Sequence, residues 1–190
     1  MPGRSGHHTI VALVEDKPGV LNRIASKWRQ RGFNIETLAV GHSEIPGLSR
    51  MTFTVDGSTH DVEQVTKQLY KVIEVVKITD ITGEEVVARE LALIRVTATA
   101  QTRAAILDLV NLFRANVIDV AVDSVIIEVT GTEDKIESLY EMLMPYGIKE
   151  MVRTGRIAMT RGGTGHQQDN GQHRRYRSAG EGKAQVGSLV

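Results

Sequence analysis

No cysteine occurs among the 190 residues, which excludes disulfides, thiolate nucleophiles and Cys-ligated metals. The same absence fits a reducing cytosol, so a cytoplasmic location is expected. Aromatic residues make up only 4%, and any core must therefore be built from Val, Ile and Leu. Charge of one sign is lacking too: 23 Lys and Arg stand against 23 Asp and Glu. No global field is left to draw in nucleic acid or an anionic membrane. No apolar run approaches the ~20 residues needed to span a bilayer, and the opening MPGRSGHH lacks the apolar core of a secretory signal.

What is present is ordinary for a soluble globular chain, with 41% hydrophobic and 24% charged residues. The apolar pattern switches repeatedly between a period of two and a period near 3.6, which marks strands and helices. Thr9 to Val14 reads as a strand. Val20, Leu21, Ile24, Ala25 and Trp28 recur at helical spacing, with Pro18 expected in the first turn and Gly32 as a left-handed stop. Two alternating runs follow around the loop GHSEIPGLS, then a helical stripe from Val62 to Val72 and a strand from Val75 to Ile81. The order is βαββαβ, and it repeats. Leu91 to Ala98 is a strand, and Ile106 to Phe113 marks a helix. Val117 to Val122 and Val125 to Val129 are two more strands. Thr132 opens a helix, and Ile148 to Arg153 is the last strand. A local echo, RGFNI at 31–35 against RANVI at 114–118, joins first helix to second strand in each half.

This order predicts an α+β chain of two consecutive ferredoxin-like units, each with four antiparallel strands and both helices on one face. The divisions expected are an N-terminal tail at 1–7, a first unit at 8–82, a linker at 83–88, a second unit at 89–161 and a disordered tail at 162–190. The tail shows no apolar periodicity. A sheet with one bare face and open edges invites association, so a homodimer through the first unit is expected.

The stretch VEDKPGVLNRIASKW at 14–28 places Asp, Lys, Pro and Gly between a strand and a helix. One reading is a plain strand-to-helix turn. The other is a helix N-terminus whose open amides, those of Gly19, Val20 and Leu21, hold an anion. Gly19 lets a ligand approach the backbone closely. If its dihedrals are helical, an Asp in its place costs the fold little. A free amino acid would present its carboxylate to those amides. Its ammonium would turn toward oxygen acceptors such as Asp16 and the side-chain carbonyl of Asn34. Asn34 opens the second strand, expected beside the first, and Ile35 and Val20 would border an aliphatic side chain.

Read together, VEDKPGVLNRIASKWRQRGFNIETLAV and LSRMTFTV resemble the opening of the acetolactate synthase small, regulatory subunit family. The first unit resembles its ACT domain, a sensor of small molecules in amino-acid metabolism. The resemblance covers residues 8–160. It implies a non-catalytic subunit that activates a separate large catalytic subunit and confers feedback inhibition by branched-chain amino acids, chiefly valine. Thiamine diphosphate, Mg²⁺ and FAD would belong to that catalytic partner, and no cofactor is expected in this chain. It further implies that Asp16, Gly19, Val20, Leu21, Asn34 and Ile35 form the valine site. That site would lie at the dimer interface, with one copy's turn facing the other copy's Asn34. Many members carry Asn at the position of Asp16; an anion there suits an ammonium at least as well.

The competing classes are weaker. An RNA-recognition sheet needs exposed aromatics and a basic face, and RMTFTV offers only Phe53. An enzyme needs a convergent nucleophile, base and oxyanion donor, which no spacing here supplies. A stand-alone ACT-domain sensor acting on another partner is the alternative that remains. Among single features, His7-His8 reads as a plain terminus rather than a metal site, and Trp28 as core rather than a ligand platform. Ser49-Arg50 reads equally as an anion contact or a strand-edge charge. Arg174, Arg175, Tyr176 and Arg177 read as solvated tail, and the glycines at 162–165 lack the following helix of a phosphate loop.

Overall fold

The computed structural model describes residues 6–57 and 59–162. All of the expected tail but Gly162, including its arginine cluster and the rest of the Gly-rich stretch, lies outside the described residues.

The first unit runs β1 (His7–Glu15), α1 (Val20–Gln30), β2 (Ile35–His42), β3 (Leu48–Asp56), α2 (Thr59–Leu69) and β4 (Val75–Asp80). Its sheet order is β2-β3-β1-β4, every pair antiparallel. Alternation decides the faces. Ile10, Ala12 and Val14 of β1 and Met51, Phe53 and Val55 of β3 point to the helices. There they join Val20, Ile24, Trp28, Val62, Val65 and Leu69 in one core. Trp28 is fully buried, with Phe33 edge-on at 5.6 Å and Phe53 at 5.9 Å between ring centres. It is core, as its place on the stripe indicates, and it supplies bulk that the scarce aromatics elsewhere do not.

The second unit repeats the plan with β5 (Val86–Thr97), α3 (Arg103–Leu112), β6 (Asn116–Val120), β7 (Ser124–Gly131), α4 (Glu133–Leu143), a 3-10 turn (Met144–Tyr146) and β8 (Ile148–Arg153). The order β6-β7-β5-β8 is that of the first sheet, and a separate core of Ala92, Ile94, Val96, Ile106, Ile127, Ile136 and Leu139 lies beneath its helices. The ferredoxin-like plait occurs twice, in tandem.

Four features depart from the sequence expectation. First, β1 begins at His7 rather than in a terminal tail, and two side-chain hydrogen-bond contacts anchor it. His7 Nδ1 lies 2.6 Å from Glu36 and His8 Nδ1 lies 3.2 Å from Asp80. Second, β5 starts at Val86, inside the stretch expected as linker. Third, a further strand, β9 (Ile157–Thr160), pairs with its first residues, Val86 opposite Thr160 and Arg89 opposite Ile157. Fourth, the local echo is shifted by one residue. The bulge between Ile35 and Thr37 in β2 matches that between Val117 and Asp119 in β6. Asn34 therefore corresponds to Asn116. Gly32 (φ +76) corresponds to Arg114 (φ +50), and the left-handed helix stop is a glycine in one unit and an arginine in the other.

The outer face of the first sheet is not bare. Thr9, Thr52 and Thr54 point away from the helices, yet are 6%, 3% and 7% exposed. Thr37 donates from its Oγ1 to Thr54 Oγ1 at 2.9 Å. At the edge of this face the second unit reaches over: a Cβ built on Gly155 would stand 3.4 Å from Thr37 Cβ and 3.4 Å from the Leu38 carbonyl oxygen.

Candidate functional site

The junction between β1 and α1 is a tight turn rather than a regular helix start. Asp16 donates its amide to the Gly47 carbonyl at 2.9 Å, which ties the turn to the β2–β3 loop. Lys17 donates its amide to the Glu15 carbonyl at 3.0 Å and receives the amide of Val20 at 3.4 Å. Gly19 caps α1 with φ +84 and no side-chain cap. Pro18 therefore precedes the cap instead of opening the first turn. A glycine serves here because the left-handed region costs a residue with a Cβ on the order of 1–2 kcal/mol.

Which amides remain open follows from these bonds. Arg23 donates to the Gly19 carbonyl at 3.1 Å, and Val20 is committed to Lys17. Among the described residues, nothing accepts from the amides of Gly19, Leu21 or Asn22. The open set thus contains Asn22 where the sequence suggested Val20. The Val20 side chain is 2% exposed and belongs to the core, so it cannot border a ligand. Leu21 is 40% exposed beside the open amides. Space is available as well: a Cβ added to Gly19 would meet nothing within 4 Å. A helix end with free donors, no acidic residue in its first turn and an open approach suits a carboxylate.

Around the turn stand side-chain contacts that sequence reasoning did not reach. Asp16 Oδ2 lies 3.3 Å from His42 Nδ1 at the end of β2. Glu15 pairs with Lys17 at 2.6 Å, and Arg23 pairs with Glu74. His42 sits in the loop motif GHSEIPGLS; the signal was that a hairpin between β2 and β3 must return to the end of β1.

Asn34 and Ile35 are elsewhere. β2 pairs with β3 and not with β1, so the expectation that Asn34 runs beside the first strand is corrected. Ile35 lies opposite Val55, and Val55 opposite His8, at the start of β1. Asp16 follows Glu15, at its other end. Between them lies the whole of α1, 11 residues or roughly 16 Å at 1.5 Å per residue. Within one copy, Asp16, Gly19 and Leu21 come together, and Asn34 and Ile35 do not join them. Ile35 is partly buried against the core, and Asn34 is exposed.

β2 is the outer strand of this sheet, with Val40 half exposed on its helix side. Among the described residues, no group of three His, Asp or Glu side chains is placed to hold a metal ion. No helix among them is long and apolar enough to cross a membrane.

Two family models divide the chain as the fold does. A model described as an AHAS small subunit-like ACT domain matches residues 10–77, and one described as the small subunit of acetolactate synthase matches residues 89–162. The probable acetolactate synthase small subunit of Archaeoglobus fulgidus is 56% identical over 155 residues, covering 82% of this chain and 97% of that protein. The acetolactate synthase small subunit of Bacillus subtilis is 51% identical over 154 residues, covering 80% and 90%. The crystal structure of the acetolactate synthase small subunit from Thermotoga maritima superposes with a TM-score of 0.76 at 41% identity, covering 82% of this chain and 97% of that one. Tandem plaits, an open-amide turn after the first strand and these matches across both units agree: the chain belongs to the acetolactate synthase small subunit family.

Proposed function

We propose that this chain is the regulatory subunit of a cytoplasmic acetolactate synthase, without catalysis of its own. It activates a separate large catalytic subunit, which carries thiamine diphosphate, Mg²⁺ and FAD, and makes that subunit subject to feedback inhibition by valine. The effector sites lie between two copies of the chain. The observation that carries this reading is the open-amide turn at Gly19 to Asn22 standing far from Asn34 in the same copy.

Pairing two copies resolves that separation. If the outer strands β2 of two first units pair antiparallel in full register, residue 35 of one copy stands opposite residue 42 of the other. Asn34 and Ile35 of the second copy then arrive beside His42, and His42 already contacts Asp16. The valine carboxylate takes the amides of Gly19, Leu21 and Asn22. Its ammonium takes Asp16 and the Asn34 carbonyl of the second copy. Leu21 and the second copy's Ile35 border the aliphatic side chain. Val20 contributes only by holding the turn to the core. Pairing also removes an exposed strand edge, a liability that chains generally cover or blunt.

The test is reconstitution. The purified chain is mixed with its host's large subunit, and acetolactate formation is followed across a valine titration. The reading predicts higher activity than the large subunit alone, and loss of that activity as valine rises. No activation and no co-purification would instead indicate a sensor serving some other partner.

A further inference from the structure

Gly155 interrupts what would otherwise be one strand from Ile148 to Thr160, and its backbone is left-handed at φ +82. Thr154 on its near side is pinned to the second sheet, its amide donating to the Leu91 carbonyl at 3.0 Å. Arg156 on its far side has its Nε closed off from solvent. The bare Cα between them is carried to the first unit, where an added Cβ would stand 3.4 Å from both Thr37 Cβ and the Leu38 carbonyl oxygen.

That contact falls on one particular strand. Among the described residues β2 is hydrogen-bonded only to β3, and its ladder slips between Ile35 and Thr37. An outer strand with an interrupted ladder belongs to the easily opened part of a fold. Gly155 supports it from the outer face, right at the interruption. The same strand carries Asn34 and Ile35 at one end and His42 at the other.

We infer that Gly155 is a positioning residue for the effector site. The second unit holds β2 in place through this glycine, and so sets the edge along which two copies align their halves of the site. With φ at +82 any side chain at 155 strains the turn, and its Cβ closes to van der Waals contact with Thr37 and the Leu38 carbonyl; the turn relaxes away from β2 and misplaces Asn34 relative to the partner copy's turn. This rests on the reading of β2 as the pairing edge of a valine site. It assigns the second unit a direct mechanical hold on that site, 120 residues further along the chain.

Gly147 supplies a matched control. It too is left-handed, at φ +88, and its added Cβ would stand 3.4 Å from Thr97 Oγ1, inside the second unit. Gly155→Ala and Gly147→Ala therefore carry comparable backbone strain and crowding, and only the first touches β2. Asn at each position, which tolerates left-handed backbone, is the second pair if either Ala variant fails to fold. Amide hydrogen exchange across residues 35–42 and calorimetric valine binding are measured on the full-length chain. The expected result for Gly155→Ala is at least tenfold faster exchange in β2 and at least fivefold weaker valine binding. Gly147→Ala should change each by less than twofold. Equal effects from the two variants, or unchanged β2 exchange in Gly155→Ala, would overturn the inference. So would faster exchange with unaltered valine affinity. A wild-type chain that binds no valine would instead overturn the effector reading, while the exchange comparison would still judge the hold on β2.

Discussion

Asp16 and Asn34 stand at opposite ends of one four-stranded sheet, separated by the length of α1 and by the whole of β3. Two oxygen acceptors that suit the ammonium of one amino acid are thus kept apart in a single copy. The arrangement makes sense for a chain that completes its site only by association, and each prediction below probes one consequence.

Val40 lies on the outer strand, half exposed in the single copy. A Lys there remains solvated in the monomer and should alter its stability by no more than ~0.5 kcal/mol. At a strand pairing it places a charge in the seam. Val40→Lys is expected to turn dimer into monomer by light scattering at micromolar concentration, with unchanged circular dichroism and no valine response. A Val40→Lys chain that remains dimeric would exclude β2 as the pairing edge.

Gly19 separates charge from bulk. Its φ of +84 means that any side chain adds strain, so the condition of helical dihedrals under which Asp would cost the fold little is not met. Asp and Asn tolerate left-handed backbone about equally well, so Gly19→Asn corrects for that strain and for size. At 4 Å, like charges near a surface repel by ~4 kcal/mol, about three decades in affinity. Calorimetry should find that Gly19→Asp binds valine orders of magnitude more weakly than Gly19→Asn. Equal affinities would mean that no ligand carboxylate sits at these amides.

How much of this was legible beforehand depends on what each feature rests on. The strands and helices were readable because Ile10, Ala12 and Val14, or Ile24 and Trp28, repeat at the period of the element they build. β9 was not: its exposed positions, Ile157 and Met159, are apolar and its buried one is only Ala158, so the letters show no apolar–polar alternation. The conformation of Gly19 was hidden because a glycine suits both a helical and a left-handed position. Asn34 was misplaced for a topological reason. Its strand follows the first in sequence, but β3 is inserted between them in space, and only the sheet order shows which end it occupies. The shift in the echo between units was hidden by matching letters, Arg31 with Arg114, when the bulges align Gly32 with Arg114.

That alignment yields a stability prediction. Arg114 holds φ +50 at a position where the first unit uses glycine, after α3 has ended at Leu112. Relief of left-handed strain is worth on the order of 1 kcal/mol after the added freedom of the unfolded chain is counted. Arg114→Gly should stabilise the protein by about that amount in urea denaturation, with no change in valine binding. Gly32→Ala should do the reverse in the first unit.

The central claim, that each effector site is shared between two copies, is tested most directly by mixing two defective chains. Asp16→Ala and Asn34→Ala are each expected to abolish valine binding in their own homodimers. In a heterodimer of the two, purified through different affinity tags, one site loses both residues. The other combines Asp16 of one chain with Asn34 of the other and is intact. Calorimetry on that heterodimer should recover one valine bound per dimer at close to wild-type affinity. No binding at all would contradict the account, because that is the outcome for a site built within a single chain.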